Sequence, residues 1–162
     1  MGVFFEFTDY KRFIEKTHEY KNVPSPIFPS LKLLGLMTCF IITIILAGMY
    51  VPLERCWSPD YLAYPFVIKV LYYMVAALGK RFFFYSPFTA TTGAIVASGL
   101  GYNGLKKAEG EDEETHTWDK IIGVYWYECE VVQSPVEMFR FWNYQVHVWL
   151  KYYIAVRLTP PG

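Results

Sequence analysis

The 162-residue sequence has no excess charge of either sign, with 15 Lys and Arg against 15 Asp and Glu. A nucleic-acid binder needs surplus positive charge to release counterions from phosphate, so that class is excluded. Cysteine is scarce. Cys39, Cys56 and Cys129 are too few and too far apart for a disulfide framework or a zinc set. Charged residues make up only 19% and hydrophobic residues 54%, which excludes a disordered chain. The three histidines, His18, His116 and His147, have no Ser/His/Asp set, paired carboxylates or metal-ligand spacing around them. None has an aspartate five positions later, so an H-x-x-x-x-D acyltransferase pattern is also missing.

Charge is most conspicuously missing from the middle of the chain. Residues 33–105 carry only Glu54, Arg55, Asp60, Lys69, Lys80 and Arg81, 6 charges in 73 residues. The flanks hold the other 24 in 89 residues. Soluble cores draw their apolar residues from along the whole chain, whereas a bilayer protein concentrates them in one block. The composition therefore predicts an all-α, multi-pass helical membrane protein.

Within this block three apolar helices are expected. Leu33 to Leu53 is uncharged and, at about 1.5 Å per residue, spans a hydrocarbon core of about 30 Å. Tyr61 to Gly79 is apolar except for Lys69, which must snorkel or face a polar interior. Phe82 to Leu105 is uncharged and rich in Gly, Ala, Ser and Thr, the composition of a helix packed inside a bundle. Basic pairs flank this last stretch on both sides, so charge fixes no orientation.

The flanks read differently. Residues 1–30 form a polar, aromatic lead-in: a short amphipathic helix over Thr8–Glu15, then an extended linker through Pro24, Pro26 and Pro29. Acidic residues and the lack of a short apolar core exclude a secretory signal there. Residues 106–120 read as a solvated acidic loop. Residues 121–162 return to amphipathic, re-entrant sequence split by Pro135, with Phe139 to Leu158 expected as one helix. His18 and His116 fall in exposed polar stretches. His147 lies four residues after Asn143, so one helix would present both on the same face.

Gly99-Leu100-Gly101-Tyr102-Asn103-Gly104 matches the dinucleotide fingerprint G-x-G-x-x-G, with Asp119 at a suitable distance beyond. The residues after it have no apolar face to pack on a sheet, and no second βα unit follows. The glycines are better suited to ending a membrane helix and turning the chain.

The run Phe141-Trp142-Asn143-Tyr144-Gln145-Val146-His147-Val148-Trp149-Leu150-Lys151-Tyr152-Tyr153 resembles the asparagine helix of the membrane-bound O-acyltransferase (MBOAT) family. Further segments agree in order: Phe5 to Ile14, Arg81 to Tyr85, Ser98 to Gly104 with its Gly-Tyr-Asn-Gly end, Thr117-Trp118-Asp119 before a re-entrant stretch, and Val156 to Pro160. The sequence departs from the family at Met1-Gly2-Val3, where relatives carry Gly-Pro after several earlier membrane helices. The family's catalytic histidine lies in a later helix with a Trp-His-Gly-like motif that these residues lack. The resemblance implies that 1–162 is the central portion of an MBOAT domain and that His147 is not the family's base.

By the same resemblance the expected activity is acyl-CoA-dependent acyl transfer to a lysophospholipid hydroxyl, with these 162 residues inactive alone. Acyl-CoA would be a co-substrate, no bound cofactor or metal is expected, and the bilayer, that of the endoplasmic reticulum by family analogy, would be the setting. Asn143 is the implied catalytic-site residue, with Trp142, His147, Tyr102 and Asn103 as substrate-binding candidates. Two other classes fit the same composition: a non-catalytic membrane interaction subunit packing through 82–105, and a transporter fragment with Lys69 in its pathway.

Overall fold

The computed structural model describes residues 4–107 and 114–158. Helix α1 spans Phe7–Glu15 and ends at Lys16, which is left-handed at φ 51°. A 3₁₀ turn follows at His18–Asn22. Helix α2 runs Ile27–Tyr50, six residues earlier than the sequence predicts. Pro29 does not hold the chain extended. It is the third residue of α2, in the first turn, where a missing N–H forfeits no internal bond. A second 3₁₀ turn at Leu53–Trp57 and the short α3 at Pro59–Ala63 lead to α4, Phe66–Ser98.

Helix α4 corrects the expectation of separate helices at 61–79 and 82–105. Lys80 and Arg81 are good helix formers and carry the helix through without a break. The start is set by Pro65, not Tyr61. The end is set by Gly99, at φ +90°, whose N–H bonds the Val96 carbonyl while the Gly101 N–H reaches Ile95. The glycine fingerprint thus terminates a helix. Among the described residues one helical stretch, Ile27–Trp57, is long and apolar enough to cross a membrane. Helix α4 is longer than α2 but interrupted by Lys69, Lys80 and Arg81.

The fold is mostly helical but not all-α. Strands β1, Leu105–Lys107, and β2, Glu114–His116, pair antiparallel with Leu105 opposite His116. Asn103 and Thr117 extend the pairing, through Asn103 N–H to Thr117 O and Thr117 N–H to Gly104 O, both 2.9 Å. Gly104, at φ +79°, turns the chain into β1. The acidic loop's central residues, Glu109 to Glu113, lie outside the described residues, as do Thr159-Pro160 and Met1-Gly2-Val3. The loop's ends are not merely solvated: Lys106 Nζ bonds Asp119 at 3.0 Å.

Helix α5 (Trp126–Val131) precedes α6 (Pro135–Phe141) and α7 (Tyr144–Trp149). Helix α7 loosens into a π turn over Leu150–Ala155 and ends in the short α8, Val156–Leu158. The single helix expected over 139–158 is therefore broken at Trp142-Asn143.

The chain divides into two compact units, 35–87 and the pair of segments 1–34 and 88–162. In the first, Phe40 is buried and stacks on Phe82 at 4.9 Å. The Tyr61 hydroxyl donates to the Lys69 carbonyl at 2.8 Å and the Tyr72 hydroxyl to the Pro52 carbonyl at 2.9 Å. In the second unit, Tyr20, Leu100, Tyr102 and Ile121 form the core, with Phe13, Val23, Ile95 and Trp118 packed around them. The Tyr20 hydroxyl donates to the Leu100 carbonyl at 2.8 Å, fixing the 3₁₀ turn under the end of α4.

Candidate active site at the Asn143 turn

Asn143 lies between α6 and α7 with φ 49° and ψ 50°. Asparagine tolerates this left-handed conformation better than other residues bearing a Cβ. The neighbouring irregular segment, 121–125, satisfies the backbone around the break. The Tyr125 N–H bonds the Phe141 carbonyl at 3.2 Å, and the Tyr144 N–H bonds the Gly123 carbonyl at 2.9 Å. Val146 and His147 N–H groups then bond the Asn143 carbonyl at 3.0 and 3.1 Å, starting α7.

The side chain is unlike its surroundings. Asn143 Oδ1 is buried with no hydrogen-bond partner among the described residues. A buried amide oxygen left unpaired costs about 1–3 kcal/mol, so native folds rarely keep one without a use. Its amide oxygen is a buried hydrogen-bond acceptor with unused capacity.

The segment 121–125 is fixed on its other side by α4. The Gly123 N–H donates to Thr92 Oγ1 at 3.2 Å, and the Thr92 hydroxyl donates to the Phe88 carbonyl at 2.8 Å. The Phe88 ring meets Trp142 edge-on at 5.7 Å. Tyr125 and Tyr144 also meet edge-on, at 5.0 Å. Burial pushes Tyr125 up to about 12, with Tyr144, Asp119 and Glu128 adding to the rise, so this phenol stays neutral and cannot act as a base near pH 7.

A cavity of about 350 Å³ opens beside α7, lined by Phe4, Phe7, Lys120, Tyr144, Trp149 and Tyr153. Phe4 stacks on Trp149 at 5.6 Å and Trp149 on Tyr153 at 5.9 Å. Lys120 Nζ sits 2.7 Å from Glu19 and 3.3 Å from Asp9, all three about four-fifths buried. Burial opposes ionisation of Glu19, but the Lys120 hydrogen bond and charge outweigh it and hold the carboxyl below its ordinary range. Burial likewise opposes the Lys120 charge, and Glu19 and Asp9 outweigh it to raise the ammonium above its ordinary value.

The sequence-predicted residues separate into two groups. Trp142 and Asn143 share the turn. His147 follows on α7 with its side chain exposed, so the pair does not occupy one helical face as expected. Tyr102 and Asn103 belong to the hairpin. The buried Tyr102 hydroxyl pairs with His116 Nδ1 at 2.9 Å, and Asn103 Nδ2 donates to Asp119 at 2.9 Å. His116 is exposed as predicted but not merely solvated. Among the described residues no three His, Cys, Asp or Glu side chains converge to hold a metal ion. Sequence reasoning missed Thr92, Gly123 and Lys120. Lys120 carried no signal beyond its place in an acidic stretch, and Thr92 was one hydroxyl among several small residues.

Residues 1–160 match the profile of MBOAT, the membrane-bound O-acyltransferase family. A lysophospholipid acyltransferase of Schizosaccharomyces pombe is 25% identical over 171 residues, covering 100% of this chain and 32% of that protein. Lysophospholipid acyltransferase 1 of Arabidopsis thaliana is 28% identical, over 99% of this chain and 35% of its own length. Lysophospholipid acyltransferase 5 of Rattus norvegicus is 23% identical, over 85% and 27% respectively. The chain spans about a third of the length of the first two of these relatives.

Proposed function

The chain belongs to the membrane-bound O-acyltransferase family, and on that premise we propose that it forms the central portion of a multi-pass enzyme that transfers a fatty acyl group from acyl-CoA to a lysophospholipid hydroxyl. The setting is a bilayer, that of the endoplasmic reticulum. In the reaction a base takes the hydroxyl proton, the oxygen attacks the thioester carbonyl, and the carbon–sulfur bond breaks to release the CoA thiol. A protein-walled, water-poor site protects the thioester from hydrolysis. The base is the histidine that the family carries in its Trp-His-Gly-like motif, for which these 162 residues supply no counterpart. Asn143 holds the reacting hydroxyl or thioester through its amide and cannot replace the base, since an amide has no useful proton affinity at neutral pH. Trp142 walls the same turn. His147 on α7 and Tyr102 and Asn103 in the hairpin are the further substrate-binding candidates that the family resemblance offers.

The observation that carries the site assignment is the buried, unpartnered Asn143 Oδ1 in a left-handed turn. The test is acyl transfer from labelled acyl-CoA to lysophosphatidylcholine in membranes carrying either the 162-residue chain or the same chain extended to the length of its relatives. The extended protein is expected to turn over and the short one to stay at background. Turnover by the short chain would place the base among its own residues, and no turnover by the extended protein on any lysophospholipid would overturn the reading.

A further inference from the structure

Gly123 is held at both of its backbone polar groups, by different elements. Its N–H is anchored to the Thr92 hydroxyl on α4 at 3.2 Å, and its carbonyl receives the Tyr144 N–H at 2.9 Å, one residue after Asn143. Both Thr92 and Gly123 are buried. Thr92 is itself oriented, because its hydroxyl proton goes to the Phe88 carbonyl and leaves the oxygen lone pairs facing Gly123. Phe88 in turn meets Trp142 on the other side of Asn143. The turn is thus gripped at 142 and at 144 from one helical stretch, Phe88–Thr92, and the grip at 144 passes through a single side-chain oxygen.

We propose that Thr92 is a positioning residue for the Asn143 turn: its hydroxyl sets the height of Gly123, which sets where Tyr144 starts α7 and therefore where the Asn143 amide stands. The inference rests on the reading that Asn143 acts at the reacting atoms. The Tyr144–Gly123 and Tyr125–Phe141 backbone bonds tie the turn at 141–144 to the segment 121–125, and the Thr92 hydroxyl fixes that segment at Gly123. Misplacing a group at the chemistry by about 1 Å can cost about 100-fold in rate. A shift in its anchor is therefore read in kcat, while the affinity for the long acyl chains, bound elsewhere along their length, changes little.

The test uses the protein extended to the length of its relatives, in membranes, at matched abundance. Thr92→Val keeps the shape and removes the hydroxyl; Thr92→Ser keeps the hydroxyl and removes a methyl. Thr92→Val is expected to lower kcat at least about tenfold with KM for acyl-CoA within about twofold, and Thr92→Ser to restore most of the rate. Hydrogen exchange in detergent should quicken at the Gly123 and Tyr144 amides in the Val variant only. In an Asn143→Ala background Thr92→Val should add little further loss, because one residue acts through the other. A Val variant with normal kcat, one no worse than the Ser variant, or one that fails to accumulate would each overturn the proposal, the last by making Thr92 a folding residue. If Asn143→Ala alone keeps full turnover, the underlying reading of Asn143 fails instead, and the two failures are told apart.

Discussion

Replacing Asn143 by glycine separates chemistry from folding, because the two effects have opposite signs. At φ 49° and ψ 50° a residue with an ordinary Cβ loses about 1–2 kcal/mol that glycine does not. The unpaired Oδ1 costs the native state about 1–3 kcal/mol, and glycine removes that as well. Against these gains stands the added backbone entropy of glycine, about 0.5–1 kcal/mol. Asn143→Gly should therefore leave stability unchanged or raised. Asn143→Ala removes the orphan oxygen but meets the strain, and should be the less stable of the two. If the amide stabilises the reacting atoms, both variants lose the same factor in rate, about 10²–10³, equivalent to about 2.7–4 kcal/mol. The measurements are kcat at saturating acyl-CoA and lysophospholipid in membranes with matched protein, and thermal unfolding in detergent. His147→Ala, one helical turn further and exposed, is the control and should lose much less. A purely structural amide would behave differently: interhelical hydrogen bonds in membranes average about 0.6 kcal/mol, so turnover would fall by no more than about threefold while melting temperature dropped. That outcome for Asn143→Gly refutes the reasoning.

Two further outcomes test the electrostatics of one unit and the helix packing of the other. The Lys120–Glu19–Asp9 cluster should make stability depend on pH at both ends. Glu19 has a lowered folded pKa, so its contribution is present above the ordinary glutamate value and is lost as pH falls through the lowered one; Lys120 has a raised one, so its contribution is lost only as pH rises through that value. Melting temperature against pH should show both flanks flatten in Lys120→Met, and an unchanged profile would remove the cluster from the account. In the other unit a Cβ on Gly79 would stand 2.6 Å from the Ala47 Cβ, so Gly79→Ala should destabilise by about 1–3 kcal/mol in detergent melts. Ala47→Gly in the same chain should restore it, and absence of rescue would mean that the close approach is not the cause.

Much of the helical content was legible because apolar length and punctuation are local signals. Thr8 to Glu15 has caps and spacing, and its helix forms at Phe7–Glu15. The end of α4 was legible in Gly99, since a left-handed stop needs a residue without a Cβ. The start of α2 is hidden because three prolines within six residues predict a linker, although a proline in a first turn forfeits no internal bond. The basic pair at 80–81 predicts a boundary on the logic of membrane flanks, whereas helix propensity has no reason to stop there. The hairpin carried no alternating pattern: its strands are three residues each, and all six residues are exposed.

The break at Asn143 was illegible for a more informative reason. Every residue from Phe139 to Trp149 is compatible with one continuous helix, and local preference alone would have made it. The break is imposed by tertiary bonds, the Phe141 carbonyl taken by Tyr125 and the Tyr144 N–H given to Gly123, which substitute for the helical bonds lost at the turn. A continuous helix would saturate the backbone at Asn143 and would let its side chain seek the preceding turn. The observed turn instead uses asparagine where the backbone must be left-handed and leaves its amide oxygen buried and unspent. Two local rules are thus broken at one residue, within a frame that otherwise satisfies its polar groups. The left-handed backbone and the orphan acceptor at one residue are the two observations on which the proposed role of Asn143 rests. The segment that keeps it there, from Thr92 through Gly123 to Tyr144, shows no pattern in the sequence, because its register depends on atoms 31 and 21 residues apart along the chain.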